Sequence, residues 1–487
     1  MSRKESYNDT FKTTLLFGFV QVVSVAGKAI VNKVAAVMLG PAGIGLIGLL
    51  TSLSGLIKTT ASLGVSQSVV KDISEQNAKN DQEKYSLLIR LTHRLLLLTS
   101  LFGFVIVLLI IPFRDVFSAE ALSFYDFIFL GIAVTFIIFW EGQLAILKGM
   151  RKLVYLAKAN IIASLLSVVL SCLIYVFFKD SGIIPVLVLT PLIALFVSSI
   201  YVKKIKLINT PLSNNWGELA RPIIKTGLAL SFATILSHLT VFFTSLYIVH
   251  KSSLTELGYY NVGILMMVGY FSVIINAVTT DYYPRIAAVF EDNNKILNEL
   301  NKQSMVSLTI CLPIFVIFIF ILPFALPFLF SQEFIVAIDF IKIGVFGTLI
   351  TILSNQFDLI LVVKRDTKVF IACALVLRLI ELGCNLFFFH NYGLVGLGWS
   401  IVVTAILHLI IMMFIVNKLY SIKYNGLMLR VLFFVVIYIS FVTILSVVTF
   451  ESVKLAVGVV LSLLSLLISY FFSKKVLGLN FSKVLKV

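Results

Sequence analysis

The chain has 487 residues, of which 60% are hydrophobic and only 13% charged, and its formal net charge is +16. A mean hydropathy of +1.06 excludes an ordinary water-soluble domain, because one soluble core could not bury so much apolar surface. The positive charge does not indicate nucleic-acid binding, since the basic residues recur in small groups between apolar segments. The four cysteines lie inside those segments without disulfide or metal-ligand spacing, so neither is expected.

Apolar segments of about 20 residues or slightly more recur along the whole chain, and each is long enough for a helix to cross a bilayer. They predict an all-α integral membrane protein with about fourteen transmembrane helices. The first apolar segment lacks a small-residue cleavage site after it, so we expect a retained span and not a signal peptide. The predicted spans lie near residues 11–35, 42–66, 88–112, 124–147, 156–178, 182–202, 223–250, 257–280, 303–330, 333–362, 367–390, 393–420, 427–449 and 453–473.

Lysine and arginine residues concentrate in alternate loops between these spans. One set of loops holds most of the 39 basic residues, whereas the other set holds only a few, such as Lys179, Lys251 and Lys454. Cytoplasmic loops are enriched in Lys and Arg, so the pattern predicts cytoplasmic N- and C-termini in a bacterial inner membrane and an even number of spans. No loop is long enough for a soluble domain, and the acids of the outer loops are scattered singly.

Three short landmarks of the first half recur in the second half, at offsets of about 211 to 218 residues, and indicate an internal repeat. Each half would begin in the cytoplasm, so the two halves are predicted to be parallel six-helix lobes around a central cavity. The predicted domains are residues 1–210, residues 211–422 and an additional helix pair at 423–487. The matched segments are 39–45 with 257–263, 147–152 with 363–368, and 179–182 with 390–393.

The first predicted lobe carries polar residues inside its spans. In span 1, Gln21, Ser24, Lys28 and Asn32 are three, four and four residues apart, which places them on one helix face. A lysine inside a span is costly to expose to lipid, so this face is predicted to line a polar cavity. The other polar positions of this lobe with candidate roles are Lys58 in span 2, for which cavity lining is favoured over snorkelling, and Glu141 in span 4, which is placed to pair with a cavity lysine. In span 7, the first span of the second predicted lobe, His238 is a proton carrier or a packing residue.

The second predicted lobe carries two charged pairs with helical spacing. Asp339 and Lys342 are three residues apart and are predicted to neutralise each other. Arg378 lies near the predicted bilayer midplane with Glu381 three residues later. This pair either fixes helix packing or lets the arginine bind an anionic head group. The deep charges together are slightly cationic, which suits an anionic substrate such as a phosphate or an acidic sugar.

Four segments resemble one known family of membrane transporters. The most specific is LGPAGIGLIG at residues 39–48, which follows Gly27 and Lys28. Three weaker segments fall in the right order: GVSQ at 64–67, LKGMR at 147–151 and YYPR at 282–285. Over roughly residues 10–420 the chain resembles the Wzx-type O-antigen and polysaccharide flippases of the MOP superfamily, which also contains the MATE transporters.

The resemblance implies two six-helix lobes with a V-shaped cavity and alternating access. It implies transport of an undecaprenyl-pyrophosphate-linked oligosaccharide, an O-antigen or related repeat unit of lipopolysaccharide, from the cytoplasmic to the outer leaflet. A gradient of H⁺ or Na⁺ would drive this transport, because the chain has no nucleotide-binding motif. No cofactor, metal or catalytic residue is expected. The extra C-terminal helix pair departs from the common twelve-span pattern and leaves room for a related polysaccharide exporter or a lipid II flippase.

The resulting hypothesis assigns two groups of residues. The expected substrate-binding residues are Lys28, Lys58, Lys342, Arg378, Asn32 and Gln21, and the candidates for ion coupling are Glu141, Asp339, Glu381 and His238.

Two other functions stay open from the sequence. A multidrug exporter of the same fold would need a buried carboxylate in the first lobe, where the sequence offers only Glu141. A membrane glycan polymerase or ligase, which would be an enzyme, would need catalytic residues on the outer face, and the short outer loops argue against it.

Overall fold

The computed structural model describes residues 3–113, 122–208, 216–271, 281–448 and 451–475, and every regular element in these ranges is helical. The chain divides into two compact units, residues 1–258 and 259–487. The predicted domain boundaries at 210 and 422 stay a prediction. The helices of the first unit are α1 (Arg3–Ala61), α2 (Val65–Ala78), α3 (Gln82–Ile110), α4 (Phe124–Gly149), α5 (Leu153–Phe178), α6 (Ile183–Val202) and α7 (Trp216–Lys251). Helix α8 (Leu254–Ile264) spans the boundary, and the second unit adds α9 (Asn293–Leu329), α10 (Ile338–Val363), α11 (Thr367–Tyr420), α12 (Gly426–Val448) and α13 (Glu451–Lys475).

The all-helical membrane class is confirmed. Ten helices among the described residues are long and apolar enough to cross a membrane. Large apolar side chains also point outward, as for Phe177, Phe196 and Phe328, which are 75%, 67% and 78% exposed. A water-soluble surface rarely carries so many exposed apolar side chains, whereas lipid accommodates them.

The count of fourteen spans stays a prediction, although most of them can be traced. Three of the ten long segments, 18–61, 153–202 and 367–420, each hold two predicted spans. The predicted eighth span runs through residues 272–280, which lie outside the described ranges. The edges differ more: the second span was predicted to end at residue 66, but α1 ends at Ala61.

Sharp bends separate the paired spans. Within α1 the bend lies at Gly40, with φ 63° and ψ −170°, directly before Pro41. Within α11 it lies at Gly393, with φ 59° and ψ −144°. This backbone region is almost restricted to glycine, because a Cβ atom would collide with the neighbouring carbonyl groups. Each glycine therefore lets one span end and the next begin without a loop.

Two pairs of backbone features recur at one offset and agree with an internal repeat. Arg151 follows α4 and Arg365 follows α10, and both residues have positive φ. Both helix ends form the Schellman hydrogen-bond pattern, in which the Lys152 N–H donates to Leu147 O and the Asp366 N–H donates to Leu361 O. Lys179 and Gly393 share positive φ at the next bend. Both pairs are 214 residues apart, so the structural register differs by two or three residues from the sequence pairings of Lys148 with Lys364 and Gly182 with Gly393.

The segment Gln67–Leu87, predicted as a cytoplasmic loop, contains most of the amphipathic helix α2. Val65, Val69 and Ile73 recur every fourth residue, and each is 0% exposed. Val69 and Ile73 pack against α4 residues such as Ala145 and Ile146, whereas Val65 packs against residues of α3 and α7. On the same helix, burial raises the pKa of the Asp72 carboxyl, an effect that Lys71 partly opposes and Glu75 reinforces.

The glycine-rich turn after Gly40 makes two close backbone contacts within the first unit. A Cβ atom on Gly45 would lie 1.9 Å from the carbonyl oxygen of Leu254. A Cβ atom on Gly258 would likewise lie 1.9 Å from the carbonyl oxygen of Pro41. Because backbone atoms cannot retreat as a flexible side chain can, both positions require glycine for this packing.

Candidate functional site

An ion pair links two membrane-spanning helices of the first unit. Lys58 Nζ lies in the last turn of α1, 2.8 Å from Glu141 Oε1 of α4. The two side chains are only 20% and 36% exposed. A half-buried charge needs a partner of opposite sign, and each residue supplies that partner to the other. Glu141 therefore pairs with a lysine, as its position in span 4 suggested.

His238 of α7 belongs to the same cluster. Its imidazole ring is half-buried and lies against Gly55, one turn before Lys58: a Cβ atom on Gly55 would lie 3.0 Å from both Nδ1 and Cε1 of the ring. Both Lys58 and Glu141 are close enough to act electrostatically on the ring. The fold thus brings together a cation, a carboxylate and a titratable imidazole that are widely separated in sequence.

A small cavity of about 150 Å³ opens beside this cluster. Thr51, Ser54 and Lys58 supply its polar lining, and Ala133, Ile137 and Leu187 its apolar lining. The Ser54 hydroxyl donates to the Leu50 carbonyl oxygen at 2.7 Å, so its proton is already engaged within α1. Lys58 therefore lines a cavity, and it is the charged side chain among the described lining residues.

Before the Gly40 bend, α1 carries the predicted polar face. Gln21 and Lys28 are exposed, and Asn32 is half-buried. Gly27, beside Lys28, packs against Ser164 and Val168 of α5. Lys28 therefore lies outside the packed side of the helix, and its role in binding an anion stays a prediction.

In the second unit, Arg378 Nη1 donates to Glu381 Oε2 along α11. The two side chains are 41% and 32% exposed and neutralise each other. Four residues after Glu381, Asn385 accepts a hydrogen bond from Ser400 at 2.6 Å across the Gly393 bend. The arginine is thus held on one helix turn by a carboxylate, which fits both interpretations of this pair.

Lys342 and Asp339 occupy different environments. Lys342 is 2% exposed, and its Nζ donates to the Ser446 carbonyl oxygen at 3.0 Å. Ser446 lies in the last turn of α12, where carbonyl groups lack helical partners and attract a cation. Asp339 is exposed near the start of α10. Mutual neutralisation of these two residues stays a prediction.

The sequence analysis missed His408. This residue lies in the second half of α11, and its Nε2 is 3.1 Å from Asp358 Oδ1 of α10. Asp358 and His408 were not among the candidate residues selected from the sequence. His408 lies within an apolar stretch of the sequence, and only the contact between two helices reveals the pair.

A larger cavity lies elsewhere in the first unit, at the turn between the two halves of α1 and the start of α6. Its volume is about 890 Å³, and its lining is largely apolar, with Leu46, Phe129 and Leu189 among the contributing residues. Asp126 and Asp180 are its charged lining residues. Asp126 already accepts a hydrogen bond from the Ser123 backbone N–H at 2.7 Å as part of a helix cap.

A family comparison matches residues 11–290 to a family described as polysaccharide biosynthesis protein. This match covers more than half of the chain. The chain belongs to the polysaccharide biosynthesis protein family. No curated protein gives a significant match.

Solved structures show which fold this polysaccharide biosynthesis protein has. An inward-facing multidrug resistance MATE family transporter of the MOP superfamily aligns with a TM-score of 0.66 at 16% identity, covering 82% of this chain and 96% of that one. The lipid II flippase MurJ, in an inward closed conformation, aligns with a TM-score of 0.65 at 14% identity, covering 96% and 99%. A MOP superfamily transporter from Pyrococcus furiosus aligns with a TM-score of 0.55 at 16% identity, covering 83% and 96%.

At these identities the solved structures establish the fold of this family member and not its substrate. The predicted resemblance to polysaccharide flippases of the MOP superfamily is confirmed by the family match together with the shared fold. The chain is a multi-pass membrane protein of a transporter fold. The MurJ alignment covers 96% of this chain, which is more than the predicted twelve-span part. Most of the chain therefore follows this fold.

Proposed function

We propose that this protein is a flippase that moves an undecaprenyl-pyrophosphate-linked oligosaccharide from the cytoplasmic to the outer leaflet of a bacterial inner membrane. Both termini would lie in the cytoplasm, and an H⁺ or Na⁺ gradient would drive alternating access. Membership of the polysaccharide biosynthesis family supports the substrate class. The observation that carries the proposal is the ion pair of Lys58 and Glu141, which places an exchangeable cation beside a cavity within membrane-spanning helices.

In this proposal Lys58 alternates between two anions. Without substrate it is neutralised by Glu141 at 2.8 Å. A pyrophosphate offers several strong acceptor oxygens and competes for the same ammonium group. Protonation of Glu141 would release Lys58 to the substrate, and loss of that proton would favour substrate release. His238, which lies beside both groups, would accept or supply the proton.

Other candidate residues contribute according to their placement. Lys28, Asn32 and Gln21 form an accessible polar face that would contact the sugar or pyrophosphate. The anionic group would replace Glu381 as the partner of Arg378, and Glu381 could then bind a coupling ion. Lys342 is sequestered against α12 and would contribute to stability. Asp339, exposed at one end of α10, would contact a coupling ion only on its way in or out.

Deletion of the gene and complementation with variants would test the proposal. Deletion should cause lipid-linked repeat units to accumulate and surface glycan to disappear. Lys58→Ala and Arg378→Ala should each fail to restore surface glycan, whereas Lys79→Ala should restore it, although Lys79 also forms an ion pair, with Glu75 at 2.7 Å. Unchanged levels of lipid-linked intermediates after deletion would reject the flippase, and restoration of glycan by Lys58→Ala would reject the role of that residue.

A multidrug exporter is the second candidate, and the larger cavity favours it. That cavity is mainly apolar and carries Asp126 and Asp180, which suits an amphiphilic organic cation. Under this alternative, deletion would leave the lipid-linked intermediates unchanged and increase sensitivity to cationic drugs. Asp180→Asn would reproduce that sensitivity.

A further inference from the structure

Two helices of the second unit meet at a polar cluster that the proposed transport cycle does not use. Asp358 Oδ1 of α10 lies 3.1 Å from His408 Nε2 of α11. On the other side of the ring, His408 Nδ1 lies 3.2 Å from Ser354 Oγ, one helical turn before Asp358. Ser354 Oγ also lies 3.1 Å from the carbonyl oxygen of Thr351. The imidazole is thus held at both nitrogens by α10.

The hydrogen-bond inventory of this cluster allows two arrangements that differ by one proton. Ser354 has one hydroxyl proton and two acceptor positions, and an ionised Asp358 can only accept. If Ser354 donates to Thr351, both ring nitrogens of His408 face acceptors, which fits an imidazolium. If the Ser354 hydroxyl turns to donate to Nδ1, only Nε2 carries a proton, and the ring is neutral. The observed positions of Ser354 accommodate both arrangements.

His408 and Asp358 are the titratable pair of this cluster. His408 and Asp358 are 20% and 27% exposed, so the pair is reachable, whereas Ser354 is 0% exposed. The Cys373 thiol in the first half of α11 lies within electrostatic reach of Asp358.

Two other charged groups of the second unit have partners of their own. Arg285 pairs with Glu299 of α9 at 2.6 Å, and Lys342 donates to α12. Tyr424, before α12, packs edge-to-face against Phe357, and its hydroxyl accepts a hydrogen bond from Ser304 of α9.

We propose that Asp358, His408 and Ser354 form a proton-binding site in the second unit. One proton adds to His408 Nδ1, the ring becomes an imidazolium between Asp358 and Ser354, and the Ser354 hydroxyl rotates to the Thr351 carbonyl. On release the proton leaves Nδ1 and the hydroxyl turns back to the ring. This site is separate in sequence and in partners from the cluster of Lys58, Glu141 and His238. Its use in transport rests on the proposed function, whereas proton binding itself does not.

Protonation can be read directly by NMR on the full-length protein in lipid nanodiscs. The chain has five histidines, so selective ¹⁵N-histidine labelling gives a small set of ring signals, and His408→Gln assigns one of them. We expect the wild-type signals to show proton uptake at Nδ1 of His408, while Nε2, which faces the Asp358 carboxylate, carries a proton in both forms. Asp358→Asn should reduce this proton uptake, because the carboxylate that stabilises the imidazolium is lost.

Two further variants keep the test decisive. Asp339→Asn removes an exposed carboxylate from the same helix and should leave the His408 signals unchanged. Ser354→Ala should shift the Nδ1 signal while the pair with Asp358 persists. The inference would be overturned if the His408 ring of the wild type stayed neutral from about pH 5 to pH 8. It would also be overturned if Asp358→Asn left the His408 signals unchanged. Because this readout involves no glycan, such a failure would leave the flippase proposal untouched, and failure of the flippase would leave the NMR result standing.

Discussion

Replacing one partner of the ion pair between α1 and α4 should destabilise the protein by more than an exposed pair would. Glu141→Gln keeps the shape of the side chain but leaves the Lys58 ammonium group half-buried without its counter-charge, which is now 2.8 Å away. Lys58→Met keeps the stem and leaves Glu141 unpaired. The double variant removes both charges, so neither is left uncompensated.

The exposures set the size of the expected effect. Exposed pairs contribute about 0.2–1 kcal/mol, and breaking a fully buried pair costs about 3–5 kcal/mol. Lys58 and Glu141 are 20% and 36% exposed, so the pair lies between these limits. We expect about 1–3 kcal/mol for each single variant, and a double variant less destabilised than the two costs added together. The coupling energy should be about 1–2 kcal/mol.

Unfolding in mixed detergent micelles would measure these differences, and Trp140, the neighbour of Glu141 in α4, offers a fluorescence signal. The charge reversal Lys58→Glu with Glu141→Lys provides a further check, because it should recover part of the stability lost in either single reversal. Additive single and double variants, with a coupling energy below about 0.3 kcal/mol, would refute the claim that this pair is energetically coupled.

Three further variants test other parts of the account. Gly45→Ala should destabilise the protein by about 2–4 kcal/mol, because its Cβ atom would meet the Leu254 carbonyl oxygen, whereas Gly383→Ala, with nothing within 4 Å, should be neutral or slightly stabilising in the same unfolding assay. Ile73→Ala should cost about 2–4 kcal/mol, since this side chain is 0% exposed in the contact of α2 with α4; a cost below about 1 kcal/mol would contradict that packing. Burial raises the pKa of Asp72 above its usual 3.8, so its contribution to stability is most favourable below that pH and declines as the pH rises through the folded-state pKa. Asp72→Asn should therefore slightly raise the unfolding midpoint at neutral pH and lose this advantage in acid.

The helical membrane class follows from the sequence because span length and apolar composition are local properties. The bends at Gly40 and Gly393 were anticipated as span boundaries, since the surrounding segments contain glycine between apolar runs. The amphipathic helix α2 was missed, although Val65, Val69 and Ile73 form a regular stripe. Polar residues surround this stripe, so the segment does not have the uniformly apolar composition that identifies a membrane span.

The site was predicted in part. Deep charges stand out in an apolar chain, and so Lys58, Glu141 and Arg378 could be selected from composition alone. The pairing of a carboxylate with a particular cation depends on packing between helices that are distant in sequence. A local sequence pattern cannot predict that pairing. This explains why the i,i+3 pair of Arg378 and Glu381 was foreseen, whereas the contact of Asp358 with His408 was not.

Transport of a lipid-linked oligosaccharide across a reconstituted bilayer tests the central claim most directly. The purified protein would be placed in liposomes with an undecaprenyl-pyrophosphate-linked oligosaccharide, and a membrane-impermeant reagent would report the fraction of glycan in the outer leaflet. We predict protein-dependent movement that an H⁺ or Na⁺ gradient accelerates, that Lys58→Ala abolishes and that Lys79→Ala preserves. An unchanged leaflet distribution with correctly folded wild-type protein, accompanied by transport of an organic cation, would contradict the flippase account.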